Sequence, residues 1–557
     1  MTDIRRTLLW VVFTMSLVLL WDAWNKHTGH PSIFGPSSKP VASAASAPPT
    51  GTSAVPAALQ QAGAGTPAVP PSAAASAAPV PSERVTVRTD LAVATFDSVG
   101  GALTRLELLQ FRDQADRQRN VVLFDHTDKR TYLAQTGLVT AQPGVQLPTH
   151  LTPMRVVAGP RELGSAQALE VRFESVPVDG VRLVKAYTFT RGAYTIGVKH
   201  EVVNESGRAV SPGLYLQLVR DGDPPAGESS FYFTFTGPAI YTDASKFHKV
   251  EFKDIDKGKA EHDKQADNGW IAMVQHYFAS AWLLPPNTPR EFRTAKVETN
   301  RFSIAMVTPL GEIAPGATVV REATLFAGPQ EEHKLAALAP GLELVKDYGW
   351  FTVLAKPLFW LLDKLYGVLG NWGWAIVALV VLLKVAFYWL NASAYKSMAR
   401  MKAVNPKVME LRERHKDNPQ QMQQEMMRIY REEKVNPLGS CLPILVQMPF
   451  FIALYWVLLS SVEMRNAPWI GWIADLSDKD PFFILPVLMT ASSLFQVWLN
   501  PTPTDPTQAK MMWIMPLAFG VMFFFFPAGL VLYWLTNNIL SIAQQWFINR
   551  QLGVLGK

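Results

Sequence analysis

Residues 376–390, IVALVVLLKVAFYWL, place a single ammonium group, Lys384, inside a run that is otherwise apolar or aromatic. A lysine at the centre of a bilayer helix costs about 2.5–3.5 kcal/mol on insertion scales, so something must offset it, and a functional site is the default reading. If the helix runs on to residue 392, Lys384 lies about 10 Å from its cytoplasmic end. A lysine stem can snorkel part of that distance, which is the plainer reading. The distribution of acids favours the other. The apolar stretches 371–392, 438–461, 482–499, 511–526 and 530–548 contain neither Asp nor Glu, and Glu463 falls just beyond one of them. Neutral hydrogen-bonding groups are plentiful there: Gln447; Thr490, Ser492, Ser493 and Gln496; Thr536, Asn537, Asn538, Gln544 and Gln545. Singly, such residues serve as inter-helix glue. Grouped around an unpaired cation, they predict a wet, net-positive cavity open to the cytoplasm. Such a cavity would receive a polar or acidic segment. It is poorly suited to relaying protons or cations, which calls for carboxylates.

Other chemistry is not legible. Cys441 is the one cysteine, so neither an intramolecular disulfide nor a cysteine metal site is expected. No HExxH, GxSxG, P-loop or GxGxxG pattern occurs, and no catalytic residue, metal or cofactor is expected. The formal net charge is +6, without a long Lys/Arg block, so no direct nucleic-acid specificity is expected.

The elements that must position Lys384 follow from composition and period. Residues 7–21 are apolar after Arg5 and Arg6 and lack a small-x-small site close behind. An uncleaved anchor over 1–24 is expected rather than a signal peptide, with the N-terminus cytoplasmic. A Pro/Ala/Ser-rich tether fills most of 25–82; from residue 36 it carries too little apolar surface to fold. Over 83–335, runs such as RVTVRT, ALEVRFESV and YTIGVKHEVV alternate apolar with polar and are rich in β-branched and aromatic residues. They predict a large antiparallel β-sandwich domain. Residues 336–370 mix Lys346, Asp347, Lys356, Asp363 and Lys364 with large apolar side chains, as an interfacial helix does; a helix buried against the β-domain is the alternative. Residues 371–550 carry five spans. With the anchor this makes six transmembrane helices in a polytopic α-helical membrane protein. The 393–436 connection is strongly basic and 462–481 is not, so both termini and 393–436 are assigned to the cytoplasm. Residues 393–436 read as a helical hairpin, with Met398, Met401, Met422 and Met426 on its apolar sides. These methionines either pack on one another or form an adaptable contact surface. Residues 551–557 are a short tail.

The stretch 434–455, KVNPLGSCLPILVQMPFFIALY, together with GNWGWAI, SMARMKAVNPK, DPFFILPVLM and FPAGLVLYWLTNN in the same order, resembles the Oxa family of membrane protein insertases in its bacterial YidC-type, Gram-negative form. The resemblance is strong over 340–550 and extends with less specificity to the anchor, tether and β-domain. It implies a non-enzymatic insertase and membrane chaperone of the bacterial inner membrane, with residues 25–370 largely periplasmic and the β-domain a supersandwich similar to sugar-mutarotase folds. The implied partners are nascent membrane proteins, the Sec translocon, the lipid bilayer and, transiently, the ribosome, held weakly because the tail is short. The family's groove usually carries arginine where this chain has Lys384, tyrosine is common where it has Trp534, and a threonine is replaced by Val380. On this resemblance the substrate groove comprises Lys384, Gln447, Ser493, Gln496, Trp534, Asn537 and Asn538. The hairpin methionines and Met489 would contact the client as it slides. Two rivals remain at this point: an anion transporter or channel, and an envelope scaffold acting through the β-domain.

Overall fold

The computed structural model describes residues 82–225, 234–415, 418–433, 442–500 and 506–551. The expected anchor, all of the tether but Ser82, the turn at Asp417, Cys441 with the first part of the signature stretch, and the tail from 552 onward lie outside the described residues.

Period-two alternation builds the β-domain. In β2 (Ala92–Asp97) buried and half-buried residues alternate without a break, and in β1 (Arg84–Arg88) only Val85 and Val87 turn inward. Two antiparallel nine-stranded sheets result. The first runs β1, β2, β3 (Ala102–Arg112), β4 (Asn120–His126), β5 (Thr131–Val139), β10 (Gly213–Asp221), β17 (Arg301–Pro309), β16 (Arg290–Glu298) and β13 (Gln265–Ala266). The second runs β12 (Lys246–Lys249), β11 (Gly237–Thr242), β14 (Trp270–Val274), β15 (Phe278–Leu283), β18 (Thr318–Pro329), β9 (Thr195–Asn204), β8 (Val181–Thr190), β7 (Ala168–Ser175) and β6 (Met154–Val156). Central strands such as β5 and β10 are buried along their whole length, so polar residues such as Gln135, Gln217 and Arg220 are enclosed with the apolar ones.

One polar strut crosses this core. Lys185 on β8 is fully buried, and its Nζ donates to the carbonyls of Gly100 and Thr136, each at 2.6 Å. Burial pushes its ammonium down to about 7. Gly100 sits at φ +70°, and a Cβ there would lie 2.1 Å from the His150 carbonyl oxygen, so this turn requires glycine.

The chain leaves the second sheet through α1 (Glu332–Leu338). Leu335, Leu342 and Val345 pack with Trp270, Ala281 and Phe326 of the sheet, so β-domain packing continues past residue 335. The amphipathic stretch then forms α2 (Thr352–Leu369), preceded by two 3-10 turns. The remaining helices are α3 (Trp372–Ala386), α4 (Tyr388–Arg414), α5 (Pro419–Glu432), α6 (Leu442–Ser460), α7 (Ile484–Leu499), α8 (Pro506–Phe523) and α9 (Ala528–Gln551).

The run that was expected as one helix over 371–392 is broken. α3 ends at Ala386, and α4 leaves at an angle of 68°. Phe387 at the joint (φ −92°, ψ 11°) still donates its N–H to Leu383 O, and its ring packs edge-on against Phe450 of α6. No proline or glycine marks the bend. Lys384 consequently lies in the last turn of its helix rather than two turns inside it.

No single described helix is long and apolar enough to cross a membrane; the bent pair α3 and the start of α4 passes that test together. α9, with 24 residues, spans about 36 Å. It is long enough but carries too many amides and hydroxyls to register as uniformly apolar. α8 is nearly all outward-facing: of Met511 to Phe523, only Gly520 and Phe523 are buried. With half-buried Met512, Pro516 and Met522 they form a narrow inward stripe; a Cβ on Gly520 would come within 2.6 Å of the Thr490 hydroxyl of α7, and Phe523 packs on Trp534 of α9.

Candidate functional site

The site forms where α3, α6 and α9 meet. Asn371 caps α3 by accepting from Trp374 N, and the buried residues Trp372, Ala375, Ile376, Leu379 and Val380 turn one face of α3 into the bundle core. That register brings Lys384 to the inner end of the same region. Its Nζ donates to Ser541 Oγ at 2.6 Å, and the Ser541 hydroxyl donates onward to Asn537 O at 2.8 Å. Among the described residues no carboxylate forms an ion pair with Lys384. Gln447 on α6 is buried and donates to Asn391 Oδ1 at 2.6 Å. Asn391 Nδ2 is buried and has no protein hydrogen-bond partner.

Lys384, Gln447 and Asn537 line one small cavity with Val380, Leu383, Phe387, Phe450, Phe451, Leu454 and Tyr533. Its volume is about 20 Å³, room for roughly one water. Against the expectation of a wet, net-positive cavity, the wall of this one is mostly apolar. The rings of Phe387, Phe450 and Phe451 share its wall with the polar groups, and Phe387 and Phe450 pack edge-on.

The other expected residues fall into separate groups. Asn538 donates to Ser492 at 2.8 Å and lies 3.5 Å from Ser493, which ties α9 to α7 rather than to Lys384. Gln496 is half-buried one turn further along α7. Trp534 sits in an aromatic cluster with Phe523, Phe526 and Tyr455, at centroid distances of 5.0, 5.6 and 6.5 Å. Met489 packs at the edge of the same core.

In the hairpin, Met401 and Met426 pack with Val404, Val408, Ile429 and Tyr430, while Met398 and Met422 are half-buried outside that cluster. Met409 and Met427 are the exposed methionines of the hairpin, at 56% and 45%. Of the four expected methionines, Met401 and Met426 thus pack inward, and the outward-facing ones are two others.

Ser541 and Asn391 were missed. The signal for Ser541 was present, since it lies four residues after Asn537 and seven after Trp534, on one face of α9. Asn391 carries no such signal, because the bend at Phe387 decides which way it points.

The family model of the YidC periplasmic domain matches residues 84–361, and that of the 60Kd inner membrane protein matches residues 364–553. A membrane protein insertase YidC of Cupriavidus necator is 55% identical over 99% of this chain and 98% of its own length. The chain belongs to the YidC family of membrane protein insertases. Its counterparts of the same description in Ralstonia nicotianae and Janthinobacterium sp. are 54% and 51% identical, each over 99% of this chain and 98% and 100% of their own lengths. The YidC fold thus accounts for the large antiparallel periplasmic β-domain and the helical C-terminal region. A solved active YidC insertase aligns over 83% of this chain and 92% of its own, with 18% identity and a TM-score of 0.40.

Proposed function

We propose that this chain inserts nascent membrane proteins into the bacterial inner membrane, and that the Lys384 site receives the polar part of a client before its apolar segment enters lipid. The reading rests chiefly on one observation: an ammonium group among apolar spans without Asp or Glu, which among the described residues meets a serine hydroxyl and no carboxylate, beside a buried amide that retains unfilled hydrogen-bonding capacity. A client carboxylate supplies the charge partner that the bundle lacks. Apolar burial of the client in lipid drives the step, at about 25 cal/mol per Å². No nucleotide is required. The small cavity is a resting state that widens as a client displaces the rings of Phe387, Phe450 and Phe451.

The same reading carries six transmembrane helices, with 1–24 as the anchor, 25–82 as the tether, 83–335 as the periplasmic β-domain, 336–370 as the interfacial helix and 371–550 as the insertase core. Both termini and the 393–436 hairpin are cytoplasmic. Its support is the breadth of exposed apolar surface: Val487, Phe495 and Trp498 on α7, and Ile514, Leu517 and Val521 on α8, are all about half exposed or more. Soluble surfaces rarely carry patches of that extent. The groove residues Ser493, Gln496, Trp534 and Asn538, the hairpin methionines and Met489 form the further client path. Sec and the ribosome are partners on the same proposal.

Site-specific photocrosslinking from Gln447 and Trp534 to a stalled, single-span nascent chain tests it. Adducts from both positions are expected, and their loss is expected on deleting 399–433. A client that inserts normally without ever crosslinking to either position would remove the Lys384 site from the path.

A further inference from the structure

The β-domain and the helical bundle are fastened to each other at the connection between α6 and α7. Val462 belongs to the main apolar core of the β-domain. The Arg465 guanidinium lies 5.1 and 5.4 Å from the ring centroids of Tyr277 and Phe278, and it donates to Arg112 O. Asn466 donates to Gln110 O at 3.3 Å, and His276 Nε2 lies 2.9 Å from Leu459 O. Arg117 pairs with Asp478.

A second set of contacts closes the other side. The Lys346 side chain is fully buried, with Nζ 3.0 and 2.9 Å from the two Glu463 oxygens and 3.7 Å from the Phe359 ring centroid of α2. Next to it, the Asp347 carboxylate accepts from Lys249 of β12 at 2.5 Å, and the Asp347 carbonyl accepts from Ser460 of α6 at 2.7 Å. Tyr348 donates to Glu332 of α1 at 2.5 Å. The last turn of α6 is thereby held directly by His276 of the β14–β15 turn and by Asp347, and the connection that follows it, through Glu463, Arg465 and Asn466, is held by Lys346 and by β3. α8 takes no part in these contacts, since it packs mainly on α7.

We propose that the β-domain, α2 and α6 move as one rigid body, and that Lys346, Glu463 and Arg465 are positioning residues that hold α6, and with it Gln447, in place while a client enters. The β-domain on this view is a stator for the insertase site, and a client is admitted by displacement of α7 and α8 against it. The functional part of this inference rests on the insertase reading above; the rigid-body part does not.

The test uses the full chain in proteoliposomes, in a Cys441→Ser background. Cysteines replacing the exposed Gln110 and Asn466 are joined by a short, reducible thiol crosslinker. Insertion of a single-span client is expected to be unchanged by the joining. Arrest that reductant relieves would overturn the proposal, because it would show that the two parts must separate. In a second arm, spin labels at Val176 of the β-domain and at Val446 of α6 report the distance between them without any client. Lys346→Met is expected to broaden that distribution and lower insertion, and the Gln110–Asn466 crosslink is expected to narrow the distribution and restore insertion in the same variant. An unbroadened distribution with lost insertion would confine Lys346 to a local role and overturn the coupling. If the parent chain inserts no client at all, the insertase reading fails, while the spin-label arm still decides whether the body is rigid.

Discussion

Lys346 and Lys384 are two ammonium groups in apolar surroundings, and the molecule treats them in opposite ways. At the junction, Lys346 is fully enclosed and meets both oxygens of Glu463. In the bundle, Lys384 is half-buried, and among the described residues its one hydrogen-bond partner is the Ser541 hydroxyl. A buried pair satisfied from both sides has no capacity left for a third charge, so it fixes geometry. A cation with only a neutral partner keeps its attraction for an anion that comes and goes. The difference separates a structural lysine from a receptive one, and charge alone does not distinguish them.

The largest effect should come from breaking the junction pair on one side. Lys346→Met or Glu463→Gln leaves a buried charge or donor without its partner and should cost about 3–5 kcal/mol. Replacing both by methionine should recover most of that loss. Thermal unfolding of the detergent-solubilised chain checks both, and equal losses for single and double variants would break the comparison.

Lys185 sharpens the contrast as a second enclosed lysine, held by the carbonyls of Gly100 and Thr136. Its ammonium is pushed down to about 7 by burial, whereas in the unfolded chain it titrates near the usual lysine value. Between those limits the unfolded chain binds more protons, so stability should rise as pH goes from 7 towards 10, on the order of 3 kcal/mol. Denaturant unfolding followed by the fluorescence of buried Trp270 and Trp282 would show it, and Lys185→Met should flatten the profile.

At the receptive lysine, Lys384→Arg should be tolerated. Lys384→Glu should reduce insertion of an acidic single-span client at least about tenfold, since reversing one contact worth about 4 kcal/mol at an effective dielectric near 20 exceeds the 1.4 kcal/mol that tenfold requires. A client with no acid near its span should be affected less. Equal insertion of both clients would put Lys384 on the structural side of the comparison. The smallest effect is expected from Ser541→Ala, which removes a hydrogen bond to a charged group worth about 1.5–3 kcal/mol but leaves the charge for the client. A modest fall in melting temperature with most insertion retained is the expected outcome.

How much of this was legible depended on how far apart the interacting residues lie. Alternation along β1 and β2 needs only neighbours, and it was readable. So was the polar face of α9, because Asn537, Asn538 and Gln545 recur within a few turns. The partner of Lys346 was not readable, since Glu463 lies 117 residues away and no local pattern links them. The bend at Phe387 was hidden for another reason. IVALVVLLKVAFYWL holds no Gly or Pro that would mark a break, and Phe387 at the joint packs on Phe450, far away in sequence. Its consequence for the site was large: it set the depth of Lys384 and brought Asn391 to Gln447.

The narrow inward stripe of α8 has a consequence for how this part of the chain can vary. From Met511 to Phe523 only Met512, Pro516, Gly520, Met522 and Phe523 are buried or half-buried, and at Gly520 even one added methyl group meets Thr490. The outward positions ask for little more than oiliness. α8 is thus an interchangeable part: a foreign greasy helix with a glycine in the right place should graft in its stead, while a single alanine at 520 should do more harm than rewriting the whole outer surface.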